Sequence, residues 1–437
     1  MRIRVQYIAA AVLLLFPLSA SAQQATPIRY NEGPGIKLSD ALVFHPGLSI
    51  EMRYDSNVLF TNRQLQGAPY LRLIGHLDLA TRSPQRRTDA SSGQVAPQKV
   101  QFRLKGAVGY REYLSGEDAV VNQRAVEVDA GMLFRWNPSR HFYFQVVDNF
   151  ARTVTPQNAL IVQGAAAPTT SSTIARDQNR MSAGVGIVPG GGRLTFDLGY
   201  ALNLDAFEAD AFSQNNRLFH EINFKGRWRL LPKTAITLDV IQQFYDYYNA
   251  TATTTRFVGS SPFRVYLGFL GLLTPRLSVV LKVGYGNGIY DEGANFSSIL
   301  AKAEIGYRFG PLAKVRLGYE RSFSDTVFGN FSTDHHVYAG YDHLIATRFI
   351  LRLSADYYNR EYNGDYSGIN VNATSITSNL LAIGAGFDWQ IKDWVYIGIG
   401  YDLQVQALPD DFSSQQRVIG LLDYVRHQVF GKVGIAY

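Results

Sequence analysis

From residue 41 onward, this chain of 437 residues is written in alternation. Leu277, Val279, Leu281, Val283 and Tyr285 share one face of an extended segment, and Ser278, Lys282 and Gly284 share the other. Val315, Leu317 and Tyr319 oppose Lys314, Arg316, Gly318 and Glu320. Leu351, Leu353, Ala355 and Tyr357 oppose Arg352, Ser354, Asp356 and Arg360, while Ile222, Phe224 and Trp228 oppose Glu221, Asn223, Lys225, Arg227 and Arg229. A period of two marks a β-strand whose two faces meet different surroundings. A soluble sandwich alternates as well, with the apolar side turned inward. Here the apolar face recurs on nearly every segment, with no second, core-like region.

The connections separate these readings. Short ones fall at Trp136-Asn137-Pro138-Ser139, Pro189-Gly190-Gly191-Gly192, Leu231-Pro232-Lys233, Thr274-Pro275-Arg276, Gly310-Pro311, Ala346-Thr347 and Lys392-Asp393. Long polar ones lie between them, near 56–68, 114–121, 156–174, 206–215, 249–260, 290–295, 324–333, 361–375 and 407–415. Short periplasmic turns with long outer loops characterise outer-membrane barrels. Counting hairpins predicts an all-β chain: a transmembrane antiparallel up-and-down β-barrel over 41–437, of about eighteen strands, with both termini periplasmic. Ser83 to Gln98, rich in Arg, Ser, Gly and Pro, breaks the rule as a long periplasmic excursion. Residues 23–40 show no strand pattern and read as an irregular periplasmic or lumenal segment.

Residues 1–22 read as a secretory signal, with Arg2 and Arg4 ahead of an apolar stretch and Ala20-Ser21-Ala22 as the cleavage site. That exports the mature chain, from Gln23 onward, to the periplasm, and the barrel pattern then puts it in the bacterial outer membrane. No later segment approaches the roughly eighteen apolar residues of a membrane helix. With no cysteine in the chain, hydrogen bonding and burial must hold it, as a closed barrel allows. The net charge of +6, or +4 without Arg2 and Arg4, does not call for nucleic acid.

Tyr54, Tyr110, Tyr200, Tyr285, Tyr319, Tyr357 and Tyr401 each end the apolar run of an upward strand, and Trp136, Trp228, Trp389 and Trp394 sit beside short turns. Amphipathic rings favour the headgroup level, so these form an outer Tyr girdle and an inner Trp girdle. Val429, Gly431, Val433, Ile435 and Tyr437 alternate to a terminal aromatic. That ending resembles the signal read by the outer-membrane barrel assembly machinery, with Tyr437 at its centre.

No constellation carries catalysis or a cofactor. The adjacent His335 and His336 would bind metal only if they shared a face, and strand neighbours do not. Gly190-Gly191-Gly192 joins two strands and opens no helix, so it is a turn. No P-loop or zinc spacing occurs. The chemistry lies on the inward face, where alternation places Arg103, Lys105, Arg111, Lys225, Arg227, Arg229, Lys302, Arg308, Lys314, Arg316, Arg352 and Arg360. Unpaired ions in a dry interior would cost several kcal/mol each. The lumen is therefore either wet or sealed by a salt-bridge network.

Phe44-His45-Pro46-Gly47-Leu48-Ser49-Ile50 through Tyr54-Asp55-Ser56-Asn57-Val58 resembles the opening strand of the β-barrel porin 2 family. Pro69-Tyr70-Leu71-Arg72-Leu73 through His76-Leu77-Asp78-Leu79 resembles its second strand. The Ser83–Gln98 excursion departs from that pattern. Members occur in polysaccharide export gene clusters of the myxobacterial exopolysaccharide type. The resemblance implies a pore for a secreted polysaccharide, working with a separate periplasmic polysaccharide export protein. The chain has no tetratricopeptide period to supply such a scaffold itself. A passive diffusion porin for small solutes is the alternative, favoured by an inward-folded constriction such as 156–174. An outer-membrane enzyme would need a Ser–His pair or a metal.

Overall fold

Alternating apolar and polar residues dictate strands, and the computed structural model forms them almost throughout residues 34–61, 65–81, 99–156, 173–208, 210–249, 259–326, 329–363, 375–407 and 423–437, which are the residues described below. After a two-residue strand, β1 (Ile36–Lys37), come β2 (Leu42–Asp55), β3 (Ala68–Thr81), β4 (Val100–Tyr113), β5 (Ala125–Ser139), β6 (Phe142–Pro156), β7 (Thr173–Ile187), β8 (Leu194–Phe207), β9 (Arg217–Leu231) and β10 (Thr234–Asp246). The second half holds β11 (Phe263–Leu272), β12 (Leu277–Gly288), β13 (Phe296–Arg308), β14 (Ala313–Thr326), β15 (Gly329–Ile345), β16 (Phe349–Asn363), β17 (Ser375–Lys392), β18 (Val395–Ala407) and β19 (Tyr424–Ala436).

Each strand from β2 to β19 pairs antiparallel with the next, and β19 pairs back onto β2. Closure leaves no free sheet edge, the condition for crossing lipid with strands. The apolar faces point outward: Leu281, Val283, Ile299, Ile399 and Val433 are all exposed, with Ile299 at 64%. A soluble sandwich would bury them. The polar faces point inward, and the fold is an eighteen-stranded transmembrane β-barrel. No helix among the described residues is long and apolar enough to cross a membrane.

The girdles face outward as expected: Tyr54, Tyr110, Tyr200, Tyr285 and Tyr357, and Trp136, Trp228 and Trp389, are exposed. Trp394 lies in the turn before β18, its ring edge-on to Tyr437 at 6.4 Å. Two tyrosines do not end their apolar runs. Beyond Tyr200 the outward face continues through Leu202 and Leu204, and beyond Tyr401 through Leu403 and Val405. Those two strands carry aliphatic side chains above the tyrosine level.

Two further expectations need correction. The turn after β5 is Arg140-His141, not Trp136–Ser139; the ladder shifts between Trp136 and Ser139, and that irregularity accommodates Pro138, which has no N–H to offer. The segment 23–40 is not wholly irregular, because Ile36 and Lys37 pair with Phe44 and Val43. β19 ends opposite Gly47, so the start of β2 projects past it, and β1 covers that bare edge. The Gly190–Gly192 turn is confirmed; all three glycines have positive φ (61°, 65° and 89°), which other residues rarely adopt. The signal segment 1–22, the Ser83–Gln98 excursion, and most of the loops 156–174, 361–375 and 407–415 lie outside the described residues.

Candidate functional site: the barrel lumen

Register fixes which side chains meet inside. In an antiparallel ladder, directly opposed residues share a face. Arg72 lies opposite Glu51 and Arg111, Lys302 opposite Glu320, and Arg360 opposite Asp334. All twelve basic residues expected inside share the inner face by this test. Most of them find an acid on a neighbouring strand. Arg103 pairs with Asp78 (Nε–Oδ2 2.7 Å), Lys105 with Asp129 (3.4 Å), Arg111 with Glu127 (3.4 Å), Lys302 with Glu320 (2.7 Å) and Lys314 with Asp342 (3.2 Å). Arg352 reaches Asp388 at 2.6 Å, which also holds Lys432 at 2.8 Å, and Arg360 reaches Asp334 at 2.7 Å.

Several of these pairs, Arg103–Asp78, Lys314–Asp342 and Arg352–Asp388–Lys432 among them, lie near the short-turn end, and further pairs gather toward the end with long loops. Asp205 receives both Arg176 and Arg217, and the fully buried Asp55 receives Arg426 (Nε–Oδ2 3.0 Å) and Gln428 (2.8 Å). Two apolar clusters cap this region. Val58, Ala68, Tyr70, Tyr113 and Val120 form one, with Val120 supplied by a short helix, Asp118–Val121. Tyr290, Phe296, Leu300, Phe323 and Phe331 form the other. Tyr290 lies outside the strands, and burial beside Asp325 pushes its phenol well above the usual range.

One arc of the short-turn end differs. Lys225, Arg227, Arg229 and Arg308 are exposed to the lumen, and no ion pair forms on them among the described residues. The cause is local. Lys225 stands opposite Asp197 and Asp239, but Asp239 holds Lys282 and Asp197 accepts the Tyr143 hydroxyl. The guanidinium of Arg135 stacks 3.7 Å over the Tyr143 ring, adding another cation beside Asp197. Arg316 also faces the lumen, and among the described residues it has no ion pair and its buried Nε no hydrogen-bond partner. At the short-turn end the inner wall is thus neutralised on β14, β16, β17 and β19, while β9 and the foot of β13 present exposed cations with no ion pair among the described residues.

His335 and His336 point to opposite faces. His336 Nε2 lies 2.8 Å from Asp356 in the lumen, stacked 4.0 Å from Tyr358, whereas His335 Nδ1 meets the Tyr319 hydroxyl outside at 2.8 Å. No group of three His, Asp or Glu is arranged for a metal among the described residues. Sequence reading missed a repeat here. Girdle tyrosines Tyr200, Tyr319 and Tyr401 bond diagonally to His220, His335 and His427 on the next strand, at 2.6, 2.8 and 2.8 Å. Each histidine stands two residues before the aliphatic residue opposite its tyrosine, so a recurring His-x-Ile/Val would have revealed the pairing.

An apolar exterior around a polar, charge-lined lumen defines a transmembrane β-barrel of the outer-membrane type. No family model matches the chain, and neither does any curated protein. Solved structures resembling it include OccK2 (OpdF) of Pseudomonas aeruginosa in complex with glucuronate, at TM-score 0.47 and 8% identity over 90% of this chain and 98% of that one. OccAB4 of Acinetobacter baumannii gives 0.44 and 10%, over 90% and 98%. The FrpB iron transporter of Neisseria meningitidis gives 0.47 and 8%, over 92% and 82%. Likeness of this degree concerns barrel architecture alone.

Proposed function

We propose that this barrel is an outer-membrane pore that passes a secreted polysaccharide, working with a separate periplasmic export protein. The observation that carries the reading is the column of unpaired, water-exposed cations on β9, at the short-turn end where a periplasmic partner would deliver its cargo. Spaced cations in a wet lumen attract carboxylates weakly and repeatedly, which lets a chain enter and leave. Eighteen strands about 4.7 Å apart and tilted about 40° give a backbone diameter of roughly 35 Å, wide enough for a hydrated polymer strand. The resemblance of the first two barrel strands to the β-barrel porin 2 family supports the same reading. In the cell, the barrel assembly machinery would insert the chain among outer-membrane lipids.

The test is Lys225→Glu with Arg227→Glu. The double variant should fold normally, reduce cell-surface acidic polysaccharide, and shift single-channel preference from anions toward cations. A folded variant with export and selectivity both unchanged would remove the column from the transport path. One feature favours a second reading, a diffusion porin for small anions: the long-loop end of the lumen is narrowed by the Phe296 and Tyr70 clusters. In that case selectivity would shift while surface polysaccharide stayed constant.

A further inference from the structure

Neighbouring wall strands should pair along their shared length, and β13 and β14 do not. Their ladder stops at Ala301–Arg321, although β13 continues to Phe296 and β14 to Thr326. Beyond that point β14 stays paired only with β15, as far as Thr326–Gly329, and β15 stays paired with β16 up to Phe331–Asn363. The upper β14–β15 hairpin is therefore attached on one side and released on the other.

Alternation shows where the released edge goes. Tyr319 faces outward, so Phe323, two pairs further on, belongs to the outward side of its strand. Asp325, and Phe331 opposite it, share that side. Yet Phe323 is only 3% exposed, stacked 4.0 Å from Phe296 and lying over Gly286 and Gly288. Those three residues are on the inward side of β12 and β13, in register with the lumenal Leu300 and Lys302. The outer side of the hairpin thus covers the inner side of its neighbours. The wall overlaps itself, with the hairpin inside.

A polar latch holds the overlap. Asp325 accepts hydrogen bonds from Ser260 Oγ (2.6 Å) and the Tyr290 hydroxyl (2.9 Å). Asn330 Nδ2 donates to the carbonyls of Glu292 (2.8 Å) and Ala294 (3.0 Å), and Arg264 Nη2 donates to the carbonyl of Phe323 (3.0 Å). Phe331 packs edge-on to Phe296 at 5.3 Å. In the seam left open, the Arg321 guanidinium donates to Ser298 Oγ (2.7 Å) and to the Ile299 carbonyl, standing in for the missing ladder.

We propose that the β14–β15 hairpin is a lid with two packings: the overlapped one, which narrows the lumen mouth, and a zipped one, in which the β13–β14 ladder extends and the mouth widens. Extending the present register sets Phe323 opposite Ile299 and Asp325 opposite Ser297. Phe323 would then join Ile299 on the lipid side, so each packing has a place for its apolar ring. Two packings of one element, each with a place for this ring, form a switch.

The chain has no native cysteine, which makes disulfide trapping clean. Opposed residues in an antiparallel ladder have Cα atoms about 4.5–5.5 Å apart, within reach of a disulfide. Ile299→Cys with Phe323→Cys should therefore oxidise only in the zipped packing, and Asn330→Cys with Ala294→Cys only in the overlapped one. Oxidising the first pair in planar bilayers should raise single-channel conductance roughly two-fold, as expected for a widened constriction. Oxidising the second should abolish spontaneous steps to that level, and reductant should restore them. Asp325→Ala, which takes the carboxylate out of the latch without cysteines, should shift occupancy toward the wider state. The proposal fails if correctly folded Ile299→Cys/Phe323→Cys barrels never form the bond. It fails equally if locking Asn330 to Ala294 and removing Asp325 both leave the conductance distribution unchanged. Disulfide formation and ion current decide these outcomes, whatever the pore carries.

Discussion

Glu127 and Lys225 both line the lumen, yet their surroundings call for opposite responses to substitution. Glu127 is buried between Arg72 (2.6 Å) and Arg111 (3.4 Å), with Glu51 completing the chain through Arg72 at 3.4 Å. Glu127→Gln leaves two buried guanidinium groups short of charge, a class of change worth about 3–5 kcal/mol. It should lower the urea midpoint of unfolding in lipid vesicles well below that of the wild type. A midpoint within error of wild type would mean that water reaches this network. The Lys225/Arg227 double substitution should leave the same midpoint unmoved. Alternation made the inner placement of Arg111 and Lys225 legible in the sequence alike. It could not separate them, because pairing depends on register, and register joins residues distant in the chain: Arg72 to Glu127, Arg426 to Asp55.

Among the elements, the regular strands were legible and the irregular ones were not. Leu277 to Tyr285 declares both its faces. Asn137-Pro138 reads as a turn because both residues favour turns, yet the pairing on each side carries β5 through it. β14 hides its departure better still, since Tyr319, Arg321 and Phe323 keep a perfect period while the strand leaves the wall. Only the packing of Phe323 discloses the change. The last strand was the most legible, and it carries a direct test. The Tyr437 amide donates to the Pro46 carbonyl at 3.0 Å, and Ala436, one residue before it, sits opposite Gly47 at the end of the β19–β2 ladder. Deleting Tyr437 removes that bond, the ring against Trp394 and the proposed assembly signal. The amount of heat-modifiable barrel in outer-membrane fractions should fall several-fold, with periplasmic stress induced. Wild-type levels of folded barrel would show that the terminal aromatic is dispensable.

For the whole molecule, loop length sets the orientation. Gly116 lies in an exposed long-end connection and Lys233 in an exposed short turn. Gly116→Cys should react with a membrane-impermeant maleimide on intact cells, and Lys233→Cys only after the outer membrane is opened. The reverse pattern would turn the barrel over, and with it the basic end of the lumen.

Closure pairs Tyr54 with Val429, residues near opposite ends of the chain. Contacts of such sequence separation form late, because the entropy of joining distant segments must be met before they reward it. Until β19 meets β2, every shorter intermediate is an open sheet with two bare edges, each a template for the wrong partner. The time between delivery of residue 42 and delivery of residue 436 is therefore the interval in which a nascent copy is most vulnerable to misassembly and proteolysis.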